Sequence, residues 1–207
     1  MAYLQPADYP QFGLPAGTSA DWVTAATAMI NSYCRRPDLS IVEYQERLRV
    51  TGGAGTVRLS YLPLAPSGSA VTPILSIEGR YTKPRRGESA CDALLDAAFA
   101  FNLPGQWASI VPDSVDLDPN TGELTLPNNL LGLRYNEVNV TYTAGLAVIG
   151  NDVKAACAQI VRNAQSTPAL NASRTRIDTM QMEYFSSSLL DDTVRMWLQP
   201  YVANRLG

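Results

Sequence analysis

Carboxylates are the side chains whose types and spacing come nearest to catalysis in this chain. Asp113, Asp116 and Asp118 crowd one short stretch, and Asp191 and Asp192 are adjacent. A carboxylate pair can serve as general acid and base, or as acid and nucleophile in glycoside hydrolysis. Both groups also have ordinary roles open to them. The first lies in Pro- and Asn-rich sequence, where aspartate favours turns by bonding nearby backbone. The second opens a helical pattern, where the helix dipole stabilises negative charge. Histidine is absent from the 207 residues, which removes Ser-His-Asp and Cys-His arrangements and most zinc sites.

The other reactive or charged groups give less. Cys34, Cys91 and Cys157 are odd in number, far apart and without C-x-x-C spacing, so neither a disulfide framework nor a zinc site is expected. Cys157 falls on an apolar helical face and reads as a buried thiol. Thr51-Gly52-Gly53-Ala54-Gly55 invites a phosphate-loop reading, but it lacks the G-K-[ST] ending and a strand pattern follows it. It is expected to be a hairpin turn. Arg80 with Lys83, Arg85 and Arg86, and the smaller Arg35-Arg36 pair, read as surface loops. With a net charge of −3, the whole chain lacks the footprint of a nucleic-acid binder. No metal site is expected.

The elements that must position these groups centre on residues 138–157. Val138, Val140 and Tyr142 alternate with Asn139, Thr141 and Thr143, which is a half-buried strand. Ala144-Gly145 ends it. Asn151 or Asp152 is then expected to cap a helix whose buried face holds Val153, Ala156, Cys157, Ile160, Val161 and Ala164, stopping near Ser166 ahead of Pro168.

Residues 1–17 are Pro- and Gly-rich and expected to be extended. Thr18 with Asp21 resembles a capping box, followed by a helix to about Cys34 with Trp22, Ala26, Met29, Ile30 and Tyr33 on its core face. Strands are expected over residues 41–50, 57–61, 71–77, 107–111, 115–117 and 124–126, with Pro63, Pro66 and Pro73 keeping their segments at edges or bends. Residues 118–123 form a strong turn signal. Residues 87–100 read as a short helix with Asp92 and Asp96 on its polar side. Residues 169–187 show no clear period. Ser188 with Asp191 resembles a second capping box, before a stripe of Leu190, Val194, Trp197, Leu198 and Tyr201 that ends at Pro200.

Helices thus flank a β-rich middle, and a single α+β unit is expected: an N-terminal arm and helix over 1–37, a β-rich segment over 38–145 and a helical part over 146–207. The N-terminal residues have neither the basic nor the apolar region of a signal peptide. No apolar run is long enough to span a membrane. A reducing, aqueous compartment is expected.

Several segments, in this order, resemble one family. They are A-D-W-V-T-A-A-T-A-M-I-N-S-Y-C-R-R-P from Ala20, V-R-L-S-Y-L-P-L from Val57 with V-T-P-I-L-S-I from Val71, and D-P-N-T-G-E-L-T-L-P from Asp118. V-T-Y-T-A-G from Val140 with D-V-K-A-A from Asp152 follows, and W-L-Q-P-Y-V-A-N-R-L-G from Trp197 closes the series. The chain resembles the head–tail connector (adaptor) proteins of tailed bacteriophages, the gp6-like family.

The resemblance implies a small helical bundle, one N-terminal and two C-terminal helices, with the β-rich segment inserted between them. It implies a non-enzymatic virion protein without a cofactor, assembled in the bacterial cytoplasm into a ring, commonly of twelve copies. That ring docks beneath the portal protein in the neck, extends the DNA channel and offers a surface to a stopper or tail protein. A charged fraction of only 17% suits a subunit covered by neighbours, and few cations suit a channel that must not hold DNA.

For such a role the expected contact residues are Arg174, Arg176, Met182, Tyr184 and Phe185, with Trp197, Tyr201 and Arg205. Two other classes stand beside it: a carboxylate-dependent hydrolase of polysaccharide, and a β-rich binding module of another virion protein.

Overall fold

A computed structural model describes residues 2–50, 55–68, 71–82, 105–128, 135–166, 174–177, 180–183 and 189–203. The expected helix at 87–100, Cys91, most of the glycine-rich turn and the Lys83–Arg86 cluster lie outside them. The fold is α+β. Among the described residues there are three helices, two antiparallel sheets and a two-stranded hairpin. The chain divides into two compact units, one from Met1–Leu39 and Val148–Ala203, the other principally Ser40–Ala147.

In the first unit the N-terminal arm is not extended. Pro6–Asp8 and Pro10–Phe12 form 3-10 turns with a proline near each start, and Gly13 closes the second at φ 74°. Fixed proline φ angles suit such turns. The arm buries Tyr3, Leu4, Tyr9 and Leu14. The Tyr3 hydroxyl lies against Asn31 and Asp38 and accepts from the Leu39 N–H at 2.7 Å.

Helix α1 spans Ala20–Cys34. Its cap is Ser19, which accepts from the Asp21 N–H at 3.2 Å; Thr18, the expected cap, instead donates to Pro15 O. Arg35 ends the helix at φ 56°, and the Arg35 and Arg36 N–H groups return to Ser32 and Asn31. That is a Schellman-type close, with Pro37 just beyond. The buried face also differs from expectation. It holds Val23, Ala26, Thr27, Ile30 and Cys34, leaving Trp22 45% exposed and Met29 and Tyr33 outside the buried set. A threonine counts as polar in a periodicity reading, yet Thr27 is buried with its hydroxyl bonded to Val23 O and accepting from Tyr3 N–H. Satisfying that polar group inside the helix moved the true core face by one residue.

Helix α2, Asn151–Ser166, packs against both α1 and helix α3, Asp192–Leu198. Val153, Ala156, Cys157, Ile160 and Val161 are buried as expected, joined by Ala158, while Ala164 is half-buried. The start falls one residue early: Gly150 O accepts the first helical bond from Lys154 N–H, so Asn151 and Asp152 lie inside the first turn. Asp191 caps α3, accepting from the Val194 N–H at 2.8 Å. Asn163 of α2 donates to the same carboxylate and to Leu189 O. Pro200 sits in a closing 3-10 turn, Gln199–Tyr201.

The Cys34 and Cys157 thiols are buried within this unit, and burial pushes each up to about 11. Thiolate is the reactive form, so both are protected twice, by access and by ionisation. In a Cys91→Ser variant, no thiol is expected to react promptly with a thiol reagent under native conditions, and two react after unfolding. A prompt native reaction would contradict this packing.

In the second unit, β1 (Val42–Arg49), β3 (Ile74–Arg80), β4 (Ala108–Ile110) and β7 (Glu137–Ala144) form an antiparallel sheet in the order β1-β7-β3-β4. A second sheet places β6 (Glu123–Thr125) between β2 (Thr56–Arg58) and β5 (Asp116–Asp118). The β5–β6 hairpin matches the turn expected at 118–123. The hairpin expected at the glycine-rich turn does not form. All eight residues of β1 pair with β7, while β2 pairs with β6 in the other sheet, so that turn carries the chain from one sheet to the next. Strand β3 begins just after Pro73 and is interior, correcting its expected edge position. Proline forbids a ladder bond only where it lies within the strand. Back in the first unit, the residues read as aperiodic include a hairpin of β8 (Arg174–Ile177) and β9 (Met180–Glu183).

Strand β7 is the centre of the larger sheet. Val138, Val140 and Tyr142 are fully buried, as the alternation requires. Tyr142 lies 6.0 Å from the Tyr44 ring, which stacks on Tyr61 at 3.9 Å, and its hydroxyl accepts from the Tyr61 N–H.

Candidate functional site

The carboxylates first considered for chemistry have structural work or lie exposed. Asp113 lies in the 3-10 turn Pro112–Ser114. Asp116 is exposed on β5, opposite Thr125. Asp118 accepts from the Asn120 N–H at 2.9 Å and from the Thr121 hydroxyl at 2.8 Å, and these bonds hold its pKa below the ordinary value. Asp191 is pushed down in the same way, first by the Val194 N–H and then by Asn163. Asp192 is exposed, with Arg195 at 3.8 Å. A general acid at neutral pH needs the opposite shift. Among the described residues no group of three or more Cys, Asp or Glu is placed to hold a metal ion, and no helix is long and apolar enough to cross a membrane.

The expected contact residues are distributed as follows. Arg174 and Arg176 are on β8, opposite Glu183 and Gln181, and Met182 is on β9, opposite Thr175. Trp197 is half-buried on α3. The Tyr201 hydroxyl donates to the Asp152 carboxylate in the first turn of α2, so this side chain ties the end of the unit together. Tyr184, Phe185 and Arg205 lie outside the described residues. Trp22, assigned to the core from its spacing, is instead a large apolar group at the surface of the same unit, as are Met196 and Val148.

The most organised polar constellation is on the larger sheet, and its parts are far apart in sequence. One face of that sheet is apolar and buried. The other carries Glu43, Gln45 and Arg47 of β1, Asn139 and Thr141 of β7, and Glu78 and Arg80 of β3, by the observed register. At the end where β7 begins, Glu137 is 4% exposed and accepts from Arg47 Nε and Arg80 Nε, each at 2.6 Å. Burial raises the Glu137 pKa, but the two guanidiniums outweigh it and hold the carboxyl below its ordinary value. Trp107 covers the pair, with the Arg80 guanidinium 4.5 Å and that of Arg47 5.8 Å from its ring, within cation–π range.

The cluster joins charged and amide groups on the polar face of the sheet around the buried Glu137 and holds no nucleophile paired with a base. Sequence reading missed it because residues 90 and 57 positions apart meet only through the β1–β7–β3 register. The one available signal was a lone glutamate at the start of an apolar alternation.

No protein-family model matches the chain, and no curated protein matches it.

Proposed function

We propose that the chain is a structural subunit of a tailed-phage virion, a head–tail connector that docks as a ring beneath the portal. In that role it extends the DNA channel and offers its far surface to a stopper or tail protein. The observation that supports this reading is the division of the chain. One unit draws α1 from the N-terminal part and α2 and α3 from the C-terminal part, and the β-rich unit comes from between them. That division is compatible with the helical bundle and β-rich insertion that the resemblance implies. The structural employment of Asp118 and Asp191 is compatible with a scaffold.

Ring and portal contacts are assigned to the segment carrying Arg174, Arg176, Met182, Tyr184 and Phe185, and to Trp197, Tyr201 and Arg205. Arginine and aromatic side chains dominate the energetics of interfaces. The test is co-expression with the portal protein encoded in the same genome. Co-sedimentation as a ring on the portal is expected, and Tyr184→Ala/Phe185→Ala should leave a folded chain that no longer docks. Failure to join the portal under any condition, or normal tailed particles from the double variant, would overturn the assignment.

A further inference from the structure

We infer that the outer edge of β1 docks antiparallel against β1 of a second copy of this chain, with Gln45 opposite Gln45 on a two-fold axis. The argument begins with the directions of backbone groups. Thr143 N–H bonds Pro73 O and Thr143 O accepts from Ala65 N–H, so odd-numbered residues of β7 turn their groups away from β1. Even-numbered residues of β7 therefore face β1, and by register they meet even-numbered residues of β1; Val50 N–H to Asn136 O continues that series. The groups of Glu43, Gln45 and Arg47 point outward. All three residues are exposed, and among the described residues no strand pairs with this edge.

An eight-residue edge is long, and natural proteins usually shorten or guard such edges with charge. A guard of one sign would repel a second copy. The outward residues here read Glu43, Gln45, Arg47, a negative, a neutral and a positive group in series. Reversed against itself, that series pairs Glu43 with Arg47 twice around the central glutamines. On the opposite face the same register sets Val42 against Leu48 and Tyr44 against Glu46, with no like charges opposed. Sliding the copies by two residues one way brings Glu46 against Glu46, and sliding further brings Arg47 against Arg47. Three outward pairs exchange about six backbone hydrogen bonds, and each opposite-charge pair adds to them. The complementarity selects both the partner and the register. This contact is independent of the portal reading.

The test is light scattering and sedimentation of the full chain up to millimolar concentration, with two variants. Gln45→Pro removes an outward N–H that the β1–β7 ladder does not use. Glu43→Arg sets arginine against Arg47 of the second copy. Wild type is expected to dimerise. Both variants should weaken that association roughly tenfold or more while keeping the wild-type circular dichroism spectrum. A monomeric wild type, or an assembly unchanged by Glu43→Arg, would overturn the proposal. Should Gln45→Pro fail to fold, Glu43→Arg alone decides.

Discussion

Gly145→Ala is expected to destabilise the β-rich unit by roughly 2–6 kcal/mol, the sum of backbone strain and overpacking. Gly145 adopts φ 140°, a region that L side chains rarely enter. A β-carbon there would lie 2.1 Å from Ser40 O and 2.5 Å from Ser40 C, which are backbone atoms and cannot rotate away. The chain is locked at this point from both directions. Gly145 N–H bonds Pro63 O at 2.9 Å, and Leu146 forms a parallel bridge with Ser40. Moving Ser40 would pull on the start of β1, so relief at one contact strains another. Since typical domains are stable by only about 5–15 kcal/mol, a large part of the margin would go. Chemical denaturation followed by tryptophan fluorescence measures the loss. A variant with the wild-type midpoint would show that the strand end can relax.

What could be read in the sequence divides by range. The strand at β7 and the buried face of α2 were legible because each repeats its period over many residues with few polar exceptions. The turn at 118–123 was legible because Asp118, Asn120 and Gly122 act through their own backbone. Partners of strands were not. The glycine-rich stretch gives a correct local signal, a break between strands, yet all eight residues of β1 pair with β7, where Tyr44 lies opposite Tyr142. The α1 face was misplaced because Thr27 and Cys34 lie in the core as hydrogen-bonded or small groups. The β8–β9 hairpin escaped notice because its sequence mixes arginine, threonine, methionine and glutamate, with no clean apolar alternation.

The same long-range pairing built the Glu137 cluster, and Glu137→Gln probes it most directly. The substitution keeps the shape of the side chain and removes the charge that two guanidiniums share. Neutralising Glu137 leaves the largely buried Arg80 guanidinium without its charge partner, while the exposed Arg47 is solvated, and a loss of about 1–3 kcal/mol is expected. A pH dependence distinguishes this from a packing defect. The folded-state pKa of Glu137 lies below its ordinary value of 4.5, so its contribution is fully present above that value and disappears as pH falls through the folded-state pKa. The stability difference between wild type and Glu137→Gln should hold level above that ordinary value and close as pH falls through the lower folded-state pKa, below which wild type also carries a neutral group. A difference that shows no closure as pH falls would mean that the introduced amide is poorly packed and that charge is not the cause. Closure with pH would instead place the stability of the sheet end, and the orientation of Trp107 over Arg80, on one carboxylate.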